Sequence, residues 1–250
     1  MASSSAAAFV LLDTETTGGD DRICQLAFLE ARSNEPPKLY NDLCKPPVAI
    51  DFDAMTIHHI TSEMVADKPP FAKCEAASAL NGLNSPRNVL IAQNARFDLE
   101  ALRREGFEWR GAVIDTLRAA RHLLPDLPRH SLQYMRYALG LYRSEGEIAS
   151  QFGLEIKAHD AASDCVVLYL LTQYLLEKAS ESKKEGVFSL IDLSDKPVLL
   201  NKMRFGKYRD RSFKEILKAD RSYLEWLFNS ETQKADPDRD LIYTLEQALT

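Results

Sequence analysis

The sequence predicts an α/β layered domain built on a mixed sheet, followed by a small C-terminal hairpin and helix module. Strand-like segments come first in hairpin order, strands and helices then alternate, and a polar stretch precedes a shorter basic tail. Phe9-Val-Leu-Leu reads as a buried strand. Residues 22–30 and 38–45 are its antiparallel neighbours, with turns at Gly18-Gly-Asp-Asp and Asn34-Glu-Pro-Pro. Helical periodicity covers 71–83 and stops at Ser85-Pro86. A short strand follows at 88–92, then a helix over 95–105 closed by Gly106. Residues 113–115 form a further strand, and helices follow at 116–123, 131–139 and 160–178. The predicted division is a flexible N-terminus at 1–8, a main α/β domain at 9–178, a linker at 179–198 and a C-terminal module at 199–250. The module is read as a strand pair over 203–213 and helices over 214–228 and 238–249.

The chain has 250 residues, enough for one large core with an appendage. Its formal net charge of −6 excludes a protein whose whole surface coats nucleic acid, but local charge decides what a single site binds. Cys24, Cys44, Cys74 and Cys165 lack the paired short spacing of a zinc site and are expected as buried free thiols. The opening residues lack the basic flank and apolar run of a signal peptide, and no stretch reaches the ~18 apolar residues of a membrane span. A cytoplasmic protein without membrane partners is expected.

Three acidic patterns carry chemistry. Asp13 and Glu15 lie two apart at the end of an apolar strand, so they share a face and repel each other unless a proton or cation intervenes. Mg²⁺ prefers such oxygen ligands. Thr16-Thr17-Gly18 then forms a tight loop where backbone can approach a ligand. Taken alone, an Asp-x-Glu pair reads as a solvated turn, and it is the flanking apolar run and Thr16-Thr17-Gly18 that argue for a site. Asp98 stands just past the strand at 88–92, where ligands bind in open α/β sheets, and there it is either a metal ligand or an acid at a helix N-terminus. His159 and Asp164 open the longest helix. Asp160 is the N-cap candidate, leaving His159 on a turn just outside while the helix fixes Asp164. Histidine is the side chain suited to accept a proton near neutrality, although taken alone this one reads as a surface histidine before a helix cap.

The series Asp-x-Glu, Asn-x-x-Phe-Asp and His-x-x-x-x-Asp resembles the DEDD 3′→5′ exonucleases, in the subgroup whose third motif carries histidine, over about residues 9–176. The resemblance implies a ribonuclease H-like fold and two Mg²⁺ or Mn²⁺ ions held by Asp13, Glu15, Asp98 and Asp164. It also implies a 3′→5′ exodeoxyribonuclease acting in DNA repair or end processing and releasing nucleoside 5′-monophosphates, with His159 accepting the water proton. Ala54-Met-Thr-Ile-His-His-Ile-Thr is similar to the family's Ile-His-x-Ile-Thr segment, so the resemblance puts His58 and Ile60 in the pocket for the terminal nucleotide. Thr16, Thr17 and Asn94 join the substrate site on the same ground. The tail, Arg204-Phe-Gly-Lys-Tyr-Arg-Asp-Arg-Ser-Phe213 onward, resembles the C-terminal segment of the bacterial exonuclease X group.

One departure concerns the substrate. Gly19-Asp20-Asp21 stands where that group tends to place an apolar loop residue able to wedge between base pairs, so single-stranded or frayed DNA 3′ ends are the expected partners. An exoribonuclease trimming RNA, or a polymerase-associated binding protein with an idle site, are the alternative readings. The sequence leaves oligomeric state open.

Overall fold

The computed structural model describes residues 7–181 and 186–250. The chain divides into two compact units, Met1–Ala120 with Pro128–Ser194, and Arg121–Leu127 with Asp195–Thr250.

The first unit is organised by five strands, β1 (Phe9–Thr16), β2 (Ile23–Ala31), β3 (Lys38–Leu43), β4 (Val89–Ala92) and β5 (Ala112–Asp115), in spatial order β3-β2-β1-β4-β5. The β1–β2 and β2–β3 pairs are antiparallel, whereas β1–β4 and β4–β5 are parallel. The hairpin-linked segments thus lie on one side of β1 and the helix-linked strands on the other, the mixed sheet expected from the element order. As the central strand, β1 is buried from Val10 to Leu12 and then alternates, with Thr14 and Thr16 inside and Asp13 and Glu15 half-buried.

Helices α1 (Phe52–His58), α2 (Ser62–Val65) and α3 (Glu75–Leu83) connect β3 to β4, and α4 (Ala95–Arg104) connects β4 to β5. After β5 come α5 (Thr116–Leu123), α6 (Leu132–Ala138), α7 (Glu145–Ser150), α8 (Ala161–Glu181) and α9 (Gly186–Asp195). The face of β1 and β2 bearing Val10, Leu12, Leu26 and Phe28 packs on Leu80 of α3 and Ala101 and Leu102 of α4. The opposite face carries Asp13 paired with Ala27 and Glu15 paired with Gln25, and α8 lies against these two strands. Cys165, Val166, Val167, Leu168, Leu171 and Leu175 of α8 are buried. At roughly 1.5–3 kcal/mol for each large apolar side chain buried, this helix is a main support of the unit. All four cysteines are free and buried, with Cys44 Sγ 3.0 Å from Cys74 Sγ.

The second unit holds α10 (Phe213–Ala219), α11 (Arg221–Thr232) and α12 (Arg239–Leu249) around Leu200, Met203, Phe213, Ile216, Leu224, Leu227, Leu241 and Leu245. The incoming chain is tied to α12 by Val198 N–H donating to Asp240 Oδ1 and Leu200 N–H to Thr244 Oγ1, each at 2.9 Å.

Several boundaries differ from the expectation. Residues 1–6 of the expected flexible N-terminus lie outside the described residues, but Ala8 is already buried, donating its N–H to Asn88 Oδ1. The helix at 71–83 is a 3₁₀ turn, Phe71–Lys73, followed by α3, because Cys74 is extended. The linker at 179–198 contains α9, whose Leu190 and Leu193 are buried. The strand pair over 203–213 reduces to one bridge, Lys202–Ser212, around a 3₁₀ turn at Gly206–Tyr208. The helix at 214–228 is two helices, broken at Asp220, which caps α11 by accepting from Tyr223 N–H.

Candidate active site

Asp13 and Glu15 leave the sheet at the end of β1, where the register slips between Glu15 and Thr16. Such a bulge re-aims side chains at a strand end. The following turn needs its glycine: Gly18 has φ of +91° and a Cβ there would meet Asp51 Oδ2 at 2.7 Å. Asp51 also accepts the Gly19 N–H at 2.9 Å, and Arg22 and Arg104 tie the loop to α4 through Arg22–Glu105 and Arg104–Asp21 ion pairs. Asp21 is therefore an anchored acid, whereas Gly19 and Asp20 stay exposed.

From the α8 side comes Asp164. Asp160 caps this helix, its Oδ2 accepting from Ser163 N–H and Oγ, and its Oδ1 accepting from Gln25 Nε2 at 2.8 Å. Gln25 Oε1 accepts from Ala161 N–H at 3.2 Å, so one amide on β2 fastens the start of α8 beside Glu15. One carboxylate oxygen each from Asp13, Glu15 and Asp164 fall within 4.8 Å of one another. Asp98 approaches from the α4 side, buried, with Thr14 Oγ1 donating to its Oδ1 at 2.8 Å. It lies outside the tightest trio but raises the proton affinity of both Asp13 and Glu15.

Burial is the largest reason these acids hold protons, and mutual repulsion adds to it for Asp13 and Glu15. Asp13 is raised well above the usual carboxylate range, Glu15 is pushed up to about 8, and Asp98 and Asp164 to about 7. The donor set fits a divalent cation. An octahedral ion with bonds of about 2.1 Å spans roughly 3–4 Å between its ligand oxygens, so small side-chain adjustments close the trio around it. The positive charge removes the conflict that protons otherwise relieve.

This has a thermodynamic consequence. These carboxyls bind protons more tightly folded than unfolded, so their contribution to stability is full below about pH 4 and is lost as pH rises through 7 to 8. The metal-free melting temperature should therefore fall between pH 4.5 and 8, and Mg²⁺ should raise it most at the alkaline end. Differential scanning calorimetry with chelator or Mg²⁺ measures both trends, and a metal-induced gain independent of pH would contradict them.

His159 is exposed on the turn before α8 in the left-handed conformation, φ +58°. Its backbone favours the ionised Asp164, so the turn that carries it borders that acid. Asn94, also left-handed at φ +63°, is exposed at the start of α4. Thr16 and Thr17 are buried, and Thr17 Oγ1 accepts from Arg22 N–H. His58 and Ile60 are buried as well. His58 Nε2 lies 3.1 Å from the Thr16 carbonyl and its Nδ1 accepts from Ile60 N–H, while Ile60 packs with Cys24, Ile50, Ala54 and Val65. These two residues underpin the loop after Glu15; their side chains are largely covered by protein.

Sequence reasoning missed the residues that hold the acids. Besides Gln25, Gln133 Nε2 of α6 donates to Asp164 Oδ1 at 2.6 Å. Gln133 Oε1 accepts from Arg136 Nη1, and Arg136 forms a two-bonded pair with Glu145 of α7, both buried. The only local signal was two polar residues, Gln133 and Arg136, three apart on an otherwise apolar helix.

Comparison with known proteins agrees with this geometry. An exonuclease family profile matches residues 10–172, more than half of the chain, and an exodeoxyribonuclease X-like C-terminal profile matches residues 203–231. The chain is 28% identical over 220 residues to exodeoxyribonuclease 10 of Escherichia coli K12, covering 88% of this chain and 90% of that protein. It is 32% identical over 185 residues to the DNA polymerase III subunit epsilon of Treponema pallidum, covering 70% and 80%. A solved structure of exonuclease X in complex with 5′ overhanging duplex DNA superimposes with a TM-score of 0.57 at 23% identity, covering 74% of this chain and 99% of that one. The mixed sheet with flanking helices is thus the ribonuclease H-like exonuclease fold, and the chain belongs to the exonuclease family.

Proposed function

We propose that the protein is a 3′→5′ exodeoxyribonuclease that removes nucleoside 5′-monophosphates from single-stranded or frayed DNA 3′ ends. The observation that carries this reading is the convergence of Asp13, Glu15 and Asp164 at the end of the central strand, with Asp98 close enough to raise the proton affinity of two of them and His159 on the turn before α8. The names of the relatives, an exodeoxyribonuclease and a DNA polymerase subunit, favour DNA over RNA.

Asp13, Glu15, Asp98 and Asp164 would hold two Mg²⁺ or Mn²⁺ ions. When bound, such ions polarise the phosphate, activate a water and stabilise the leaving oxygen. The chain's own groups do the rest. His159 accepts the water proton at an imidazole nitrogen, and its exposed turn lets the ring reach the nucleophile without disturbing Asp164. The backbone at Thr16 and Thr17, held by His58 and Arg22, lies against the terminal nucleotide, and Asn94 contributes an exposed amide. With Gly19 and Asp20 exposed and Asp21 paired to Arg104, the loop offers no apolar wedge, so fully paired ends should be degraded more slowly than single strands.

A time course on 3′- and 5′-labelled DNA, single-stranded and blunt duplex, with an RNA control, tests polarity and substrate together. Immediate mononucleotide release from the 3′ label and a descending ladder from the 5′ label are expected; release from the 5′ end first would overturn the reading. His159→Ala should lower kcat by about 10²–10⁴-fold, the usual worth of a general base. Its affinity for single-stranded DNA, measured in chelator, should stay within about twofold. Equal losses in both would move His159 to a binding role.

A further inference from the structure

We propose that the C-terminal unit carries a second nucleic-acid site, an aromatic and basic face that stacks the bases of single-stranded DNA and contains none of the catalytic acids. Residues 201–221 contain eight Lys or Arg and three acids, in a chain whose formal net charge is −6. The structure shows how two of those acids are used. Glu215 forms the capping box of α10 with Ser212. Asp220 caps α11 and accepts from Lys207 Nζ at 2.8 Å and Tyr208 Oη at 2.9 Å, which draws its carboxyl below the usual range. The third, Asp210, is exposed and lies 4.0 Å from Arg209. Lys202, Arg204 and Arg211 are exposed and form no ion pair among the described residues, although Lys202 and Arg211 favour the charged form of Glu215.

Beside these cations the face is aromatic. The loop from Met203 to Arg211 is closed by Met203 N–H donating to Arg211 O and Asp210 N–H to Met203 O. It presents Tyr208 edge-on to Tyr223, with ring centroids 5.0 Å apart, and Tyr223 lies 5.8 Å from Trp226. Lys207 and Arg211 lie over the Tyr208 ring. Trp226 is 60% exposed and Phe205 44% exposed, although the unit fills its own core with eight other apolar side chains. An exposed indole beside tyrosine rings that carry cations suits a polymer with unstacked bases and a phosphate at each repeat. A protein partner would be favoured by a broader apolar patch without that density of positive charge.

This inference rests on the nuclease reading only for the choice of polymer, so its test is arranged to separate the two. Affinity of the full-length protein for a twelve-residue oligothymidylate is measured in chelator. Hydrolysis of the p-nitrophenyl ester of thymidine 5′-monophosphate, which engages the active site alone, is measured with Mn²⁺. Trp226→Ala should weaken oligothymidylate binding about tenfold, and Trp226→Phe should restore most of it. The Lys202→Ala/Arg204→Ala/Arg211→Ala variant should lower the slope of log affinity against log salt by ~2, at about 0.7 for each single-strand phosphate contact. Ester hydrolysis and the circular dichroism melt should be unchanged in each. Unchanged oligothymidylate affinity in both the tryptophan and the triple variants would overturn the proposal, as would a change in sedimentation with Trp226→Ala and no change in DNA affinity, which would assign the face to protein contact. Absence of ester hydrolysis in every form would defeat the nuclease reading instead, and the affinities would still decide this one.

Discussion

Asp13→Asn should reduce nucleotide release on the order of 10³-fold or more, even with excess Mn²⁺, while raising the melting temperature of the metal-free protein. Both effects have one cause. Asp13 is the carboxyl on which the others converge: Asp98, Asp164, Glu15 and Asp160 all raise its proton affinity, on top of burial. In chelator that crowding destabilises the fold at neutral pH, and an uncharged amide of the same shape removes it. With metal the sign reverses, because the wild-type acids bind the ion and the folded state gains its binding free energy. Wild type should therefore gain stability with Mg²⁺ and Asp13→Asn should gain much less, so the two melting curves cross as metal is added. Loss of electrostatic stabilisation at the reacting centre supplies the drop in rate. Scanning calorimetry at pH 7.5 with chelator or Mg²⁺, alongside turnover on labelled DNA, measures both. If Asp13→Asn keeps a tenth of the activity, or melts below wild type in chelator, the assignment of Asp13 as the central ligand is wrong.

Asp13 and Glu15 were legible as a pair from local rules, whereas Asp98 and Asp164 were joined to them only by the family resemblance. Asp13 and Glu15 share a face through the two-residue period of a strand, and the apolar run Phe9-Val-Leu-Leu marks that strand as central. Asp160 reads as a cap from its type and position, and the structure gives it that role through Ser163. What holds the acids is nonlocal. Gln25 meets the start of α8 from 135 residues away and Gln133 meets Asp164 from 31 away, and no short pattern encodes either contact. The helix at Gly186–Asp195 was missed because the polar stretch before it reads as a linker, although Leu190 and Leu193 bury one side. The expected strand pair near residue 208 failed because the aromatic residues there pack on α11 and each other rather than lining a ladder. His58 and Ile60 illustrate a different limit: a motif supplied the segment, but only the fold shows that their side chains are covered.

Glu145→Ala should destabilise the catalytic unit by about 3–5 kcal/mol, the usual cost of stranding one member of a buried ion pair. For a unit of this size that is a fall in melting temperature of roughly 6–20 °C. Arg136 and Glu145 are both buried, with Arg136 Nε 2.7 Å from one carboxylate oxygen and Nη2 bonded to the other, so no solvent replaces the lost partner. Stability and catalysis are then separable by a double substitution. Arg136→Met with Glu145→Leu replaces the pair with apolar side chains of similar bulk, which commonly recovers most of the lost stability. It does not restore the bond from Arg136 Nη1 to Gln133 Oε1, which orients the amide that donates to Asp164. The double variant should therefore melt near wild type in chelator yet bind Mn²⁺ about 10–100-fold more weakly, the usual effect of losing a group that orients a metal ligand. Titration calorimetry with Mn²⁺ reads this without substrate. Wild-type Mn²⁺ affinity in a stable double variant would show that Gln133 is held without Arg136, and the chain from α7 to Asp164 would then have no part in metal binding.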